Sequence, residues 1–202
     1  MGYAGVEFAG YHNFTAPQIR KMLDDNNLKC CGTHIGLDKL LGDELPKTIE
    51  YHKAIGCRHL IVPWMPEDRR NTRAATTATA KVFNEIADKL KAHGMVTGYH
   101  THDCDVKPIE GGVSAWEILA DNTNTGVALQ LDTANSMHGG ADPIVLLKKY
   151  PGRAITVHLK EFSKTNAKVV LGEGDVQLQP FMAYCEDGAG TEWFIVEHET
   201  QG

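Results

Sequence analysis

Gly126-Val-Ala-Leu-Gln-Leu-Asp-Thr-Ala-Asn-Ser-Met-His-Gly-Gly140 is the stretch whose reading decides the fold. It opens as an apolar run, Val127 to Leu131, halts on the carboxylate of Asp132, and turns through small and polar residues. Asp142-Pro143 then supplies a cap and a first helical residue ahead of Ile-Val-Leu-Leu. Strand, acidic tip, loop and helix make one βα unit.

Working outward, the same unit recurs. Upstream, Val6-Glu-Phe-Ala9 is a short β-prone run, and Thr15-Ala-Pro-Gln18 reads as a capped helix start with Ile19, Met22 and Leu23 on its inner face. Leu28 to His34 is the next strand. A helix from Asp43 follows, turning Leu45, Ile49 and His52 inward and stopping at Gly56. His59 to Val62 is a strand closed by Pro63 and Trp64. Residues 71–93 read as a long helix with Ala75, Ala78, Val82, Ile86 and Leu90 as its buried stripe. Met95 to Tyr99 is a strand running into His100-Thr-His-Asp-Cys-Asp105, and Ser114 starts a further helix. Downstream, Ala154 to His158 and Trp193 to Glu197 are strands, with a polar loop through Gly172-Glu-Gly-Asp175 and a short helix over 181–185 between them. That loop reads either as a cover for the mouth or as a plain turn. His59 and His93 read as solvated, and His52 reads either as solvated or as part of the inner face of its helix.

Seven strands alternating with six helices, at starts roughly 25 to 40 residues apart, imply a parallel sheet with helices outside. An open doubly wound sheet of the dinucleotide-binding kind wants a Gly-rich turn after its first strand, and none is present. A (β/α)8 TIM barrel instead places working side chains at the ends of many strands. Glu7, His34, Trp64, His100, Asp132, His158 and Glu197 fit that demand. The chain reads as a single domain over 1–202 lacking the first strand and helix of the full barrel. Two exposed edges would result, so the chain reads either as a trimmed copy of a larger domain or as one that completes itself by association into a homo-oligomer.

The bulk composition, 42% apolar and 23% charged, is that of an ordinary soluble globular protein. Net charge is −6, which argues against a nucleic-acid surface. No apolar run reaches the roughly 20 residues of a membrane span. Five cysteines, an odd number with no CxxC, read as reduced thiols in a cytoplasmic setting, an N-terminal signal lost with the first strand being the alternative.

Asp132, His158 and Glu197 end three consecutive strands, and strand ends converge on a barrel mouth. Carboxylates with an imidazole suit a divalent cation, Mn²⁺ or Mg²⁺ before Co²⁺ or Zn²⁺. Each residue also has a plainer role: Asp132 as a helix cap, His158 as a core hydrogen-bonder, Glu197 as a strand tip. A fourth ligand is sought in the cluster Tyr99 to Asp105. Glu7, His34 and Trp64 are candidate pocket walls.

At these residues the chain resembles the sugar phosphate isomerase/epimerase family, with its xylose isomerase-like TIM barrel of the AP endonuclease 2 superfamily. The resemblance is carried by Gly-Val-Glu-Phe-Ala at 5–9, Gly-Thr-His-Ile-Gly at 32–36 and Tyr-His-Thr-His-Asp-Cys-Asp-Val-Lys-Pro at 99–108. It continues in Leu-Asp-Thr-Ala-Asn-Ser at 131–136, Gly-Gly-Ala-Asp-Pro at 139–143, Val-His-Leu-Lys-Glu at 157–161, Gly-Glu-Gly-Asp at 172–175 and Val-Glu at 196–197. It implies a metal set of Asp105, Asp132, His158 and Glu197, with Asp105 and Glu197 as the acid–base pair. Asp105 stands where relatives usually carry Glu, an arm shorter by about 1.5 Å, so His102 is the substitute donor. Asn135 stands where epimerase relatives often carry His. The implied reaction is enediolate proton transfer on a sugar or keto sugar, with Glu7, His34, Trp64, His100, His102, Asn135 and Lys160 against the substrate. The alternatives are a metal-dependent keto-sugar lyase or dehydratase and an inert sugar-binding or assembly domain.

Overall fold

Local signals set the elements of the computed structural model, which describes residues 2–198. Strand β1 (Gly5–Phe8) leads to helix α1 (Ala16–Asp25), where the Gln18 carboxamide accepts from the Thr15 backbone N–H at 2.8 Å. Strand β2 (Lys29–His34) and helix α2 (Glu44–Ile55) follow, and α2 stops at Gly56, whose φ is 73°. Strand β3 (His59–Val62) precedes helix α3 (Arg73–Lys91), and β4 (Val96–His100) precedes a single helical turn, α4 (Asp103–Val106). A small antiparallel hairpin, β5 (Pro108–Glu110) with β6 (Val113–Ser114), leads into α5 (Ala115–Asn122). Strand β7 (Val127–Asp132) carries α6 (Thr133–His138) and α7 (Pro143–Lys149). Strand β8 (Thr156–Leu159), α8 (Leu178–Tyr184) and β9 (Trp193–Val196) complete the chain.

The seven strands β1-β2-β3-β4-β7-β8-β9 form one sheet in that order, every neighbouring pair parallel, curled into a nearly closed barrel. This is the expected (β/α)8 scheme short of one strand. The free edges, β1 and β9, flank a groove of about 590 Å³. Among the described residues no helix is long and apolar enough to cross a membrane. All five cysteines are free.

Alternation along each strand sorts side chains between two cores. In β7, Val127, Leu129 and Leu131 join the apolar layer under the helices, which leaves Gln130 and Asp132 on the barrel axis. In β4, Tyr99 packs against Trp116 and Phe83, leaving His100 to face inward. The interior is therefore polar toward the mouth and the outer layer apolar.

Three expectations change. The buried stripe of α3 is Thr76, Thr79, Ala80, Phe83, Ile86, Ala87 and Leu90, rotated away from Ala75 and Ala78. Threonine can be buried there because its hydroxyl bonds locally: Thr76 to the Thr72 carbonyl and Thr79 to the Arg69 carbonyl, both at 2.9 Å. Met22 is exposed, while Ile19 and Leu23 are buried. His59, expected in solvent, is buried, and His52 takes the inward of its two readings. The ring of His52 lies 2.6 Å from the Thr48 carbonyl and that of His59 lies 2.7 Å from the Cys31 carbonyl.

Candidate active site

The C-terminal ends of the strands surround a cavity of about 390 Å³ lined by Glu7, His34, His100, His102, His158 and Glu197 among others. Its floor is a hydrogen-bond network centred on Gln130. The Gln130 carbonyl oxygen lies 2.8 Å from His34 Nε2 and 2.9 Å from His100 Nδ1. A carbonyl only accepts, so both ring nitrogens carry hydrogens. The amide nitrogen donates to Glu7 Oε1 and to the Thr156 hydroxyl, each at 2.9 Å. His100 therefore keeps its Nε2 lone pair for the cavity. Burial, and then the neighbouring His158, hold its pKa well below the usual value, so the ring stays neutral.

Glu7 fits inside the barrel because position 32 is glycine: a Cβ there would lie 2.4 Å from Glu7 Oε1. His158 stands between two carboxylates, with Nε2 2.7 Å from Glu7 Oε2 and Nδ1 2.5 Å from Glu197 Oε2. Burial opposes a charge on this ring, but Glu197 and Glu7 outweigh it and lift the pKa to about 9. The same contacts overcome burial at both carboxylates and hold them well below the carboxylate range. Lys160 donates to Glu197 Oε1 at 2.9 Å.

Asp132 divides its two oxygens. Oδ1 caps α6, accepting from the Asn135 N–H at 2.7 Å, whereas Oδ2 is buried with no partner. The cap and ligand readings of this residue thus apply to different atoms. Burial pushes its pKa up to about 6, against the Asn135 N–H and then His158.

His100, Asp132, His158 and Glu197 each offer one ligand atom, all within 4.8 Å of one another. An orphaned buried carboxylate oxygen beside two imidazoles and a second carboxylate fits a divalent cation. Three of the four expected ligands are in this group.

Asp105 is not. It lies on α4, fully buried, five residues beyond the end of β4, and its carboxylate accepts from the Tyr99 hydroxyl at 3.1 and 3.2 Å and from the His102 N–H at 2.8 Å. His100, at the strand end itself, takes the place expected of it.

The remaining expected contacts divide. His34, His102 and Glu7 line the cavity. Trp64 is half exposed, its ring edge-on to His102 at 5.1 Å and covered by the Arg70 guanidinium at 4.5 Å. Asn135 turns its amide to the Thr101 carbonyl at 2.9 Å. Gly172 to Asp175 form a turn wound around Glu161, which accepts from the N–H groups of Gly172 and Val176. Sequence reasoning passed over Gln130; the signal was one polar residue, in phase with Asp132, inside an apolar run.

The family model described as xylose isomerase-like TIM barrel matches residues 1–202. An inosose dehydratase of Geobacillus kaustophilus is 25% identical over 238 residues, covering 98% of this chain and 77% of that protein. One from Clostridium tetani is 28% identical over 142 residues, covering 59% of this chain and 46% of its own length. Among solved structures, a sugar phosphate isomerase/epimerase from Parabacteroides distasonis aligns with a TM-score of 0.81 at 22% identity, over 99% of this chain and 80% of that one.

Proposed function

The chain belongs to the xylose isomerase-like TIM barrel family, and from that premise we propose that it is a metal-dependent enzyme acting on a polyhydroxylated ketone, a keto sugar or keto-cyclitol. The reaction proposed is proton abstraction next to the carbonyl followed by loss of water. His100, Asp132, His158 and Glu197 would hold the cation, which supplies Lewis acidity toward a ketone oxygen. Two imidazoles among four donors favour Mn²⁺, Co²⁺ or Zn²⁺ over Mg²⁺.

The observation that carries the elimination reading is the position of Asp105. Epimerisation through Asp105 and Glu197 needs a carboxylate on each face of the substrate, and Asp105 is bonded to Tyr99 and His102 instead. Glu197 is then the base. It takes the α-proton, the C–H electron pair enters the carbon–carbon bond, and charge gathers on the ketone oxygen. As the carbonyl re-forms, the β-hydroxyl leaves with a proton from His102, giving water and an enone. Glu7, bonded to His158 Nε2, fixes that ring so that Nδ1 faces the site. Lys160 and His34 are placed for substrate hydroxyls, and Trp64 for the apolar face of the ring. The inosose dehydratase relatives support a dehydration over an epimerisation.

Epimerisation is the second reading, favoured by one feature: Glu7 is another carboxylate lining the cavity. Incubating the Mn²⁺-loaded protein with inosose and with ketohexoses in D₂O, followed by NMR, separates the two. The expected result is enone formation, with deuterium at the α-carbon of the recovered ketone. In Glu197→Gln both disappear, while His102→Ala keeps deuterium exchange and loses elimination. An epimer without enone would replace dehydration by the second reading. No exchange with any ketone would leave an inert sugar-binding domain.

A further inference from the structure

Unmet hydrogen-bonding capacity marks two places in this molecule. Five buried polar atoms lack a partner among the described residues. Two of them, Asp132 Oδ2 and His102 Nδ1, belong to the mouth. Two more, Arg20 Nε and His59 Nε2, belong to residues of a single cavity of about 220 Å³ at the other end of the barrel, where β2, β3 and β9 begin.

The imidazole decides what that cavity can hold. His59 is 1% exposed, and its Nδ1 lies 2.7 Å from the Cys31 carbonyl, so Nδ1 carries the hydrogen and Nε2 of the neutral ring is a bare acceptor. Nearby is Glu192 Oε2, at 3.7 Å, which is another acceptor. A species with a hydrogen to donate belongs at Nε2. The rest of the wall asks for the opposite. Arg58, Arg20 and Lys29 offer only donors, and the Lys29 ammonium makes no ion pair or hydrogen bond among the described residues. Gly56 holds the wall open: its φ is 73°, and a Cβ there would lie 3.2 Å from Arg20 Nη1.

We propose that this cavity is an anion site for monoprotonated phosphate, free or as the end of a small phosphomonoester. The P–OH donates to His59 Nε2, and the anionic oxygens accept from Arg58, Lys29 and the Arg20 Nε–H, the two Arg20 Nη groups being bonded to the Ile55 carbonyl and Asp24. Glu192, now 3.2 Å from Arg58, moves out to solvent. Carboxylates and sulfate present the charge at neutral pH but no O–H, and the imidazole discriminates against them.

The test is NMR of the full chain with ¹⁵N-labelled histidine near neutral pH, titrated with sodium phosphate at ionic strength held constant with chloride. The His59 Nε2 resonance should move saturably, and sulfate should bind at least about tenfold more weakly, the cost of leaving a buried acceptor unpaired. Arg58→Gln with Lys29→Gln should flatten the response, and Asp132→Asn should leave it intact. Glycerol 2-phosphate in a parallel titration assigns the ligand: equal affinity points to an ester, much weaker binding to inorganic phosphate. The proposal is overturned by a His59 signal that tens of millimolar phosphate does not move, by an equal response to sulfate, or by loss of the response in Asp132→Asn.

Discussion

Asp105 and Asp132 make a controlled comparison within one molecule. Both are aspartates with no exposed surface, both stand at the start of a short helix, Asp105 within the first turn of α4 and Asp132 as the cap of α6, and burial raises both pKa values to about 6. They differ in one atom. Both oxygens of Asp105 accept hydrogen bonds, from Tyr99 and from the His102 backbone, whereas Asp132 leaves Oδ2 bare. Burial and a displaced pKa therefore do not separate the two residues. The unsatisfied lone pair does, because leaving it so is costly unless something else is meant to occupy it.

Breaking the comparison at Asp132 should give the largest effect. Asp132→Ala is expected to weaken Mn²⁺ or Zn²⁺ binding by more than about a hundredfold, read by calorimetry, while the lost helix cap costs only about 1 kcal/mol. Retained metal affinity would show that the orphan oxygen has another purpose.

The second test concerns the pH response of His158. Its folded pKa is about 9, above the ordinary 6.5, so the folded state holds an extra proton between those values. Its contribution is complete below about pH 6.5 and is lost as pH rises through 9, amounting to about 3 kcal/mol for the metal-free protein. Urea midpoints across that window should fall, and His158→Gln should remove the slope. Metal affinity should rise over the same window as the competing proton leaves.

Asp105→Ala should invert the Asp132 result. It strands the Tyr99 hydroxyl and the His102 N–H, costs about 2 kcal/mol in thermal unfolding, and leaves metal affinity within a few-fold. A lost metal site in this variant would return Asp105 to the ligand set. The smallest expected effect is Glu7→Gln, at about 10-fold in metal affinity, because it loosens His158 without removing a ligand.

The strand tips were readable because a parallel barrel repeats one pattern, and each apolar run ended on a residue that could do chemistry. Asp132, His158 and Glu197 came from that repeat alone. Asp105 came from resemblance; in the fold His100 ends the strand, while Asp105 lies on the next helical turn. His59 was misjudged because a strand's first residue reads as exposed, whereas here it closes the barrel floor. Gln130 was illegible for another reason. Its partners Glu7, His34, His100 and Thr156 come from four other strands, and no local spacing encodes that meeting.

The clasp formed at His158 has a mechanical consequence. Glu7 belongs to β1 and Glu197 follows β9, the two strands that do not pair with each other. One imidazole on β8 grips both sides of the open seam, so whatever occupies its two nitrogens also fastens the wall of the barrel. An ion held by His158 and Glu197 would take over the Glu197 side of this clasp from the ring proton, and backbone amides along β1 and β9 should then report it by exchanging more slowly.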